Sequence, residues 1–179
     1  MEPDGFGVRP LIVETDIKIE AVSHVRITDF EVFYQRSWDG VYRPLAATLG
    51  DSDLAAEAVD EAMSRAYAQW RSVQLASNPQ GWVYRVAYRW SIDRLRRRRR
   101  EQRLLPRLFD GPVPERTSVE PGLDAALGSL PIEQRAAVVL SCAFDWSEAQ
   151  IADALSIRPG TVKSRLHRGL EQLRRELHA

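Results

Sequence analysis

The sequence predicts an all-α protein that consists of two small helical domains joined by a proline-rich linker. Apolar residues recur at helical spacing along most of the chain, and residues that cap helices stand at the starts of these segments. Four prolines fall within residues 104–121, which leaves little room there for regular structure. A length of 179 residues is sufficient for two small domains.

The composition narrows the class of protein. Lys and Arg total 25 and Asp and Glu total 25, so the net charge of +0 argues against a uniformly basic nucleic-acid-binding surface. The single cysteine, Cys142, excludes an internal disulfide, and its apolar neighbours predict a buried thiol. His and Cys residues do not occur at zinc spacing, so we expect neither a metal nor a cofactor. Without a membrane-length apolar run or a signal peptide, we expect a soluble, cytoplasmic protein.

The C-terminal segment, residues 146–177, predicts two helices that are joined by a tight turn. Ser147 can cap the first helix, with Gln150 completing a capping box, and Pro159 stands at the favourable first position of the second helix. The second helix carries one apolar stripe, formed by Val162, Leu166, Leu170, Leu173 and Leu177. Its remaining N-terminal face is polar and basic. This layout is typical of a DNA-reading helix-turn-helix. Upstream of it, a helix that starts at Leu130-Pro131 is predicted to continue through Cys142, and Leu123 is predicted to lie in the core of the same domain.

The residues Leu130-Pro131, Arg135, Ile151-Ala152 and the run GTVKSRLHR over 160–168 resemble region 4 of bacterial sigma factors, in the extracytoplasmic-function group of the sigma-70 family. The resemblance implies that this domain, residues 122–179, binds the −35 element of promoter DNA. It places the base-contacting positions at Lys163, Ser164, His167 and Arg168. Thr161 and Arg165 are better suited to phosphates, because a helix N-terminus and nearby cations favour anions.

The N-terminal half predicts three helices after an extension. Residues 1–27 show only weak alternation, and we expect them to form a mobile extension. Thr28 is predicted to open the first helix in a capping box with Glu31, with an irregularity at residues 38–40, and Gly50 ends it. The second helix runs to Trp70 and carries an acidic outer face, which comprises Glu57, Asp60 and Glu61.

The third helix begins at Asn78, a predicted cap, and Pro79. The helix ends in an arginine run at residues 96–100. Its first half contains four aromatic residues interleaved with arginines, namely Trp82, Tyr84, Arg85, Tyr88, Arg89 and Trp90. Such a helix can stack on unpaired bases and neutralise their backbone. It can equally be a core helix with a basic end, and composition alone leaves both alternatives open.

Residues 28–98 resemble sigma region 2, through Gly50-Asp51, Trp70 and the Asn78-Pro79 entry with Trp82. The resemblance implies a domain at 28–100, followed by a linker at 101–121. Its acidic helix is expected to bind core RNA polymerase through Glu57, Asp60 and Glu61. The third helix is expected to melt and bind the −10 element through Trp82, Tyr84, Arg85, Tyr88 and Arg89. The chain departs from the usual pattern at Ala56, Asp60, Met63, Arg89 and, in the helix-turn-helix turn, Ser156.

The leading functional hypothesis is therefore a sigma factor. It binds core RNA polymerase and promoter DNA, directs transcription initiation, is not an enzyme, and is a candidate for control by an anti-sigma factor. The alternative is a helix-turn-helix repressor or activator with an N-terminal dimerisation or ligand domain, which leaves the arginine-aromatic helix unexplained. A nucleic-acid enzyme is disfavoured, because Glu57, Asp60 and Glu61 lie on one helix without further ligands or a phosphate-binding glycine loop.

Overall fold

The computed structural model of the protein describes the backbone of residues 14–104 and 121–178, and side chains within 29–101 and 122–178. All regular structure in these ranges is helical, as predicted. The elements are α1 (Glu14–Leu49), α2 (Ser52–Ala68), α3 (Trp70–Val73), α4 (Pro79–Leu104), α5 (Pro121–Ser129), α6 (Ile132–Val138), a π-helical turn (Val139–Ala143), α7 (Glu148–Leu155) and α8 (Pro159–Leu177). Over the described residues, no helix combines the length and apolar character needed to cross a membrane.

The first helix is longer than predicted, and it is continuous. It begins at Glu14, so Thr28 is an internal residue and the predicted capping box with Glu31 is wrong. Residues 1–13 of the predicted extension lie outside the described residues. The helix also continues through residues 38–40 without a break, and it includes Pro44. Proline has no N–H to donate within a helix. The Pro44 carbonyl, in contrast, accepts a hydrogen bond from the Thr48 hydroxyl, one turn later, at 2.7 Å.

Gly50 and Asn78 act at helix boundaries as predicted, whereas α2 ends at Ala68 and Trp70, its predicted end, begins a separate helix. Gly50 ends α1 in the left-handed region at φ 65°, with its N–H donating to the Ala46 carbonyl. Asp51 caps α2 by accepting from the Leu54 N–H at 2.9 Å. The Asn78 side chain likewise accepts from the Gly81 N–H at the start of α4. The predicted loop 71–77 is shortened by the four-residue α3.

α5 to α8 form the C-terminal domain, in which two expectations are wrong. Leu123, predicted to lie in its core, is 40% exposed. The helix predicted to continue through Cys142 instead changes to π geometry at Val139. A π-turn inserts an additional residue per turn and so rotates the following side chains relative to an α-helix. Cys142 is therefore exposed, not buried.

The helix-turn-helix has the predicted capping signals. Ser147 and Gln150 form the capping box of α7, and Pro159 occupies the first turn of α8. The turn is closed by two hydrogen bonds, from the Ser156 N–H to the Asp153 carbonyl and from the Ile157 N–H to the Ala152 carbonyl. This pairing is the Schellman motif, which places Ser156 in the left-handed region at φ 54°.

We expect Ser156→Gly to stabilise the protein by about 0.5–1 kcal/mol. A non-glycine residue is strained in the left-handed region. Relief of this strain by glycine outweighs the larger conformational entropy that glycine loses on folding. Thermal or urea unfolding of the two variants measures the difference. Ser141→Gly, within the π-turn, is the control and should destabilise. A Ser156→Gly variant no more stable than the parent would show that the turn carries no strain.

α8 packs against α6 at an unusually short distance, which the sequence pattern did not reveal. A side chain at Gly169 would place its Cβ only 2.7 Å from Cγ2 of Val138, so only glycine allows this approach. Along the predicted stripe, Val162 and Leu173 are buried and Leu166 and Leu170 are half-buried. Leu177, at the end of the stripe, is 50% exposed.

The two halves of the chain share an apolar core. One cluster of buried residues combines Val41, Leu45, Val59, Tyr84 and Ala87 from the N-terminal half with Leu140, Ile151, Leu155 and Val162 from the C-terminal half. α4 packs against α7, and α1 packs against α6 and the π-turn. A smaller cluster of Ala126, Leu130, Val138 and Leu173 lies within the C-terminal domain. The domains are thus in direct contact.

Candidate nucleic-acid interface

The outer face of α8 presents three of the four predicted base-contacting side chains to solvent. Lys163, His167 and Arg168 are exposed. Lys163 lies 3.7 Å from a Glu148 carboxylate oxygen, and His167 lies 3.7 Å from that of Glu171. Such exposed pairs contribute little to stability, so both side chains can exchange these partners for DNA at small cost.

Three further α8 residues are half-buried: Thr161, Ser164 and Arg165. The Ser164 hydroxyl donates to the Thr161 carbonyl at 3.0 Å and is half-buried. Thr161 is also half-buried, and its N–H donates to the Arg158 carbonyl at 2.8 Å. Arg165 is half-buried, whereas Arg168 is exposed, and the Arg165 guanidinium lowers the pKa of Tyr88 in α4.

Tyr84 of α4 cannot contact a base in this structure. Its side chain has 0% exposure, and its hydroxyl lies 3.3 Å from that of Thr48. Because Thr48 donates its proton to the Pro44 carbonyl, Tyr84 is the donor of this hydrogen bond. The ring also contacts Trp146, edge to face, with centroids 5.5 Å apart. The prediction that Tyr84 binds the −10 element is therefore wrong for this arrangement: it is a core residue.

The other predicted α4 residues remain partly or fully accessible. Arg89 is exposed, whereas Trp82, Arg85 and Tyr88 are half-buried. The Arg85 guanidinium lies 3.4 Å from the Asp153 carboxylate of α7. One side of α4 therefore builds the core, and another side is accessible to solvent.

Charged groups of both domains affect the pKa of Tyr88. Burial raises the pKa of Tyr88 to about 12, and the Glu133 carboxylate of α6 also raises it. The Arg165 and Arg96 guanidinium groups act in the opposite direction, because they stabilise the phenolate. Glu133 and Arg165 belong to the C-terminal domain, so both domains shape the environment of this side chain.

We expect the free energy of unfolding to decrease as the pH rises from about 10 to about 12. A tyrosine with a raised folded-state pKa binds its proton more tightly in the folded protein. Its stabilising contribution is complete below the unfolded pKa near 10 and is lost as the pH approaches 12. Urea titrations at several pH values measure the slope, which should be smaller for Tyr88→Phe. An identical slope in the two proteins would contradict this account.

On the acidic face of α2, Glu57 and Asp60 are exposed and Glu61 is half-buried, and each carboxylate lies next to a neighbouring side chain. Asp60 accepts a hydrogen bond from Nε1 of Trp38 at 2.8 Å. Glu61 pairs with Arg65 at 2.7 Å. Glu57 lies 4.0 Å from the Arg94 guanidinium of α4. Among the described residues, no group of three or more His, Cys, Asp or Glu is placed to hold a metal ion.

Sequence reasoning missed three residues that position these surfaces. Trp38 orients Asp60 from another helix. Trp146 and Asp153 cover the Tyr84 and Arg85 positions of α4. These contacts join residues far apart in sequence, so helical periodicity gave no signal for them. The structure also packs the predicted −10 helix, α4, against α7, the first helix of the helix-turn-helix.

The chain matches two families. Residues 33–101 match the family described as Sigma-70 region 2, and residues 122–173 match Sigma-70, region 4. The first match covers most of α1 to α4, and the second covers α5 to α8 up to Leu173. The gap between them contains the proline-rich segment.

Several curated proteins are similar over most of this chain. It is 32% identical to the ECF RNA polymerase sigma factor SigM of Mycobacterium tuberculosis over 176 residues, which cover 97% of this chain and 89% of SigM. It is 30% identical to SigW of Bacillus subtilis, with 78% of this chain and 83% of SigW covered. Similarity to SigE of Mycolicibacterium smegmatis reaches 35%, although the match spans only 56% of that longer protein and 76% of this chain.

A solved structure has the same fold. It is the sigma factor RpoE in complex with the anti-sigma factor NepR from Bartonella quintana, which superposes with a TM-score of 0.71 at 22% identity. The superposition covers 84% of this chain and 98% of that one, so it includes both helical domains.

Proposed function

The chain belongs to the extracytoplasmic-function group of the sigma-70 family, and we propose that three of its surfaces bind core RNA polymerase and the two promoter elements. The acidic face of α2 binds core RNA polymerase. The accessible side of α4 binds the −10 element, and the outer face of α8 binds the −35 element. We place this activity in the cytoplasm. The domains are assigned to residues 28–100 and 122–179, with α1 extending the first domain to Glu14.

Family membership also decides between the functions that the sequence left open. The chain is a transcription initiation factor and not an enzyme. A repressor with an N-terminal ligand or dimerisation domain does not account for the match of residues 33–101 to Sigma-70 region 2. The relative RpoE was solved with an anti-sigma factor, and we include a partner of that kind in the proposal.

The −10 assignment requires revision from five residues to four. Tyr84 is removed because it is buried, which leaves Trp82, Arg85, Tyr88 and Arg89. An accessible aromatic ring can stack on an unpaired base, and adjacent guanidinium groups neutralise the backbone. The observation that carries the whole proposal is the presence of the α2, α4 and α8 surfaces within one chain that both family regions match.

The test is reconstitution of the purified chain with core RNA polymerase on genomic DNA, followed by sequencing of transcript 5′ ends. We expect new start sites that share two sequence blocks, one at the −10 and one at the −35 position. Core polymerase alone is the control. If the chain does not bind core polymerase, or if the start sites equal those of core alone, the proposed function is wrong.

A further inference from the structure

A groove between α1 and α2 borders the acidic face of α2. It has a volume of about 310 Å³ and is lined by Phe30, Tyr34, Asp60, Met63, Ser64 and Tyr67. Tyr34 and Tyr67 are 38% and 49% exposed, and the ring of Phe30 contacts that of Tyr67 edge to face, with centroids 5.1 Å apart. Exposed tyrosine rings beside a concave surface are typical of binding sites, because a ring supplies a large contact area at a low cost in conformational entropy.

Asp60 differs from the other two carboxylates of the acidic face in its partners. Glu57 and Glu61 each lie beside an arginine of the same chain, at 4.0 and 2.7 Å. Within residues 29–101 and 122–178, by contrast, no cation lies at ion-pair distance from Asp60, which accepts only a neutral indole N–H. A carboxylate interacts favourably with a positive charge nearby. Asp60 is therefore the member of this face whose charge a partner molecule can still compensate.

Trp38 of α1 holds the Asp60 carboxylate in a defined position. Its Nε1 donates to Oδ1 of Asp60 at 2.8 Å. The indole ring itself stacks on Tyr42, with centroids 4.8 Å apart and an angle of 20° between the ring planes. Burial raises the pKa of Tyr34, and the Asp60 carboxylate raises it further, because a phenolate is disfavoured beside another negative charge. The fixed carboxylate and an exposed aromatic ring are thus neighbours within one groove.

A guanidinium group matches this combination of charge and ring. It is planar and can stack on an aromatic face while its N–H groups donate to a carboxylate, and it is more weakly hydrated than an ammonium group. We propose that the groove binds an arginine side chain of core RNA polymerase, with Trp38 as the residue that positions Asp60. The inference rests on the proposed function, since Asp60 belongs both to the groove and to the face assigned to polymerase.

The contribution of the rings is tested by Tyr34→Leu with Tyr67→Leu, which retains apolar side chains and removes the aromatic faces. We expect the affinity of the full chain for core polymerase to decrease about 30-fold, the loss that is typical of a binding hot spot. Tyr34→Phe with Tyr67→Phe retains the rings and should decrease the affinity less than about threefold. Both residues are exposed, so the circular dichroism spectra should match. Equal affinities of the leucine and phenylalanine pairs would overturn the proposal.

Ser64→Arg tests the groove without removing any of its aromatic residues. Ser64 is exposed, lines the groove and follows Asp60 by one helical turn, so the new guanidinium can pair with Asp60 and compete with the polymerase. We expect the affinity for core polymerase to decrease about tenfold, with thermal stability retained. Ala47→Arg, at an exposed position about 20 Å from Tyr34 along α1, adds the same charge outside the groove and should bind as the parent does. Equal binding by the two variants would contradict the proposal.

A photoreactive side chain identifies the occupant of the groove. Replacement of Tyr67 by benzoylphenylalanine retains an aromatic ring, and illumination of the complex with core polymerase should cross-link it to a polymerase segment that contains arginine. Replacement of that arginine by lysine should weaken the parent complex more than the complex of the leucine pair, because the two changes remove the same contact. A cross-linked segment without arginine would overturn the proposal. Binding of the parent chain is the separate test of the proposed function, which fails if the parent does not bind core polymerase.

Discussion

Reversing the charges of Asp60 and Glu61 to lysine is expected to abolish binding to core RNA polymerase, with a loss of affinity of about 100-fold or more. Both residues lie on the outer face of α2, whose opposite side is buried against α1 and α4. Placing like charges together across an interface costs several kcal/mol, which corresponds to a loss of this size. A binding titration with core polymerase measures it, and the helical circular dichroism spectrum should be unchanged.

The contact between Trp38 and Asp60 requires a second variant. Removal of the Asp60 carboxylate also deprives the Trp38 indole N–H of its acceptor, so charge reversal could act through local structure. Asp60→Asn with Glu61→Gln retains acceptor oxygens and removes only the charge; it should weaken binding by a smaller factor. Asp29→Lys with Glu31→Lys, two exposed residues of α1, makes the same change in net charge elsewhere. If this control weakens binding equally, the acidic face of α2 is not a specific site.

Arg168→Ala is expected to relax base preference at one position of the −35 element by about 1–3 kcal/mol. Arg168 is exposed on the outer face of α8, opposite the buried Val162 and Leu173, and a bidentate contact from arginine to guanine discriminates by this amount. Arg165→Ala should instead weaken all sequences alike, because a phosphate contact carries no base information. It should also reduce the salt dependence by about one unit of slope.

The measurement is binding of the protein with core polymerase to single-base variants of a promoter identified by transcript mapping, at several salt concentrations. Arg174→Ala, an exposed arginine in the last turn of the same helix, is the matched control and should preserve base preference. If Arg165→Ala changes base preference and Arg168→Ala does not, α8 presents a different face to DNA from the one proposed.

Local signals predicted most of the helix boundaries correctly. Gly50, Asn78 and the Ser147–Gln150 pair each act through hydrogen bonds within a few residues, so the sequence contains all the information needed. Thr28 was wrong because a capping residue is a cap only where the chain is not already helical. The local pattern could not show that α1 extends back to Glu14.

The burial of Tyr84 and the exposure of Cys142 could not be predicted from the local sequence pattern. α4 packs against helices of both domains, so it carries apolar residues around most of its circumference and periodicity cannot identify a single inner face. Tyr84 could therefore be assigned only after its neighbours were known. Cys142 lies in a largely apolar stretch, but the π-turn from Val139 rotates it outward. The sequence offered no signal for that change of helical geometry.

The core shared by the domains has a thermodynamic consequence. Neither domain can unfold without exposing apolar surface of the other, since Leu140, Ile151 and Val162 pack in one cluster with Leu45 and Tyr84. The free chain should therefore denature in a single cooperative transition, and its dependence on urea should correspond to the surface exposed by both domains together. A substitution in the core of one domain then lowers the stability of the other, although the two are joined by a linker long enough to make them independent.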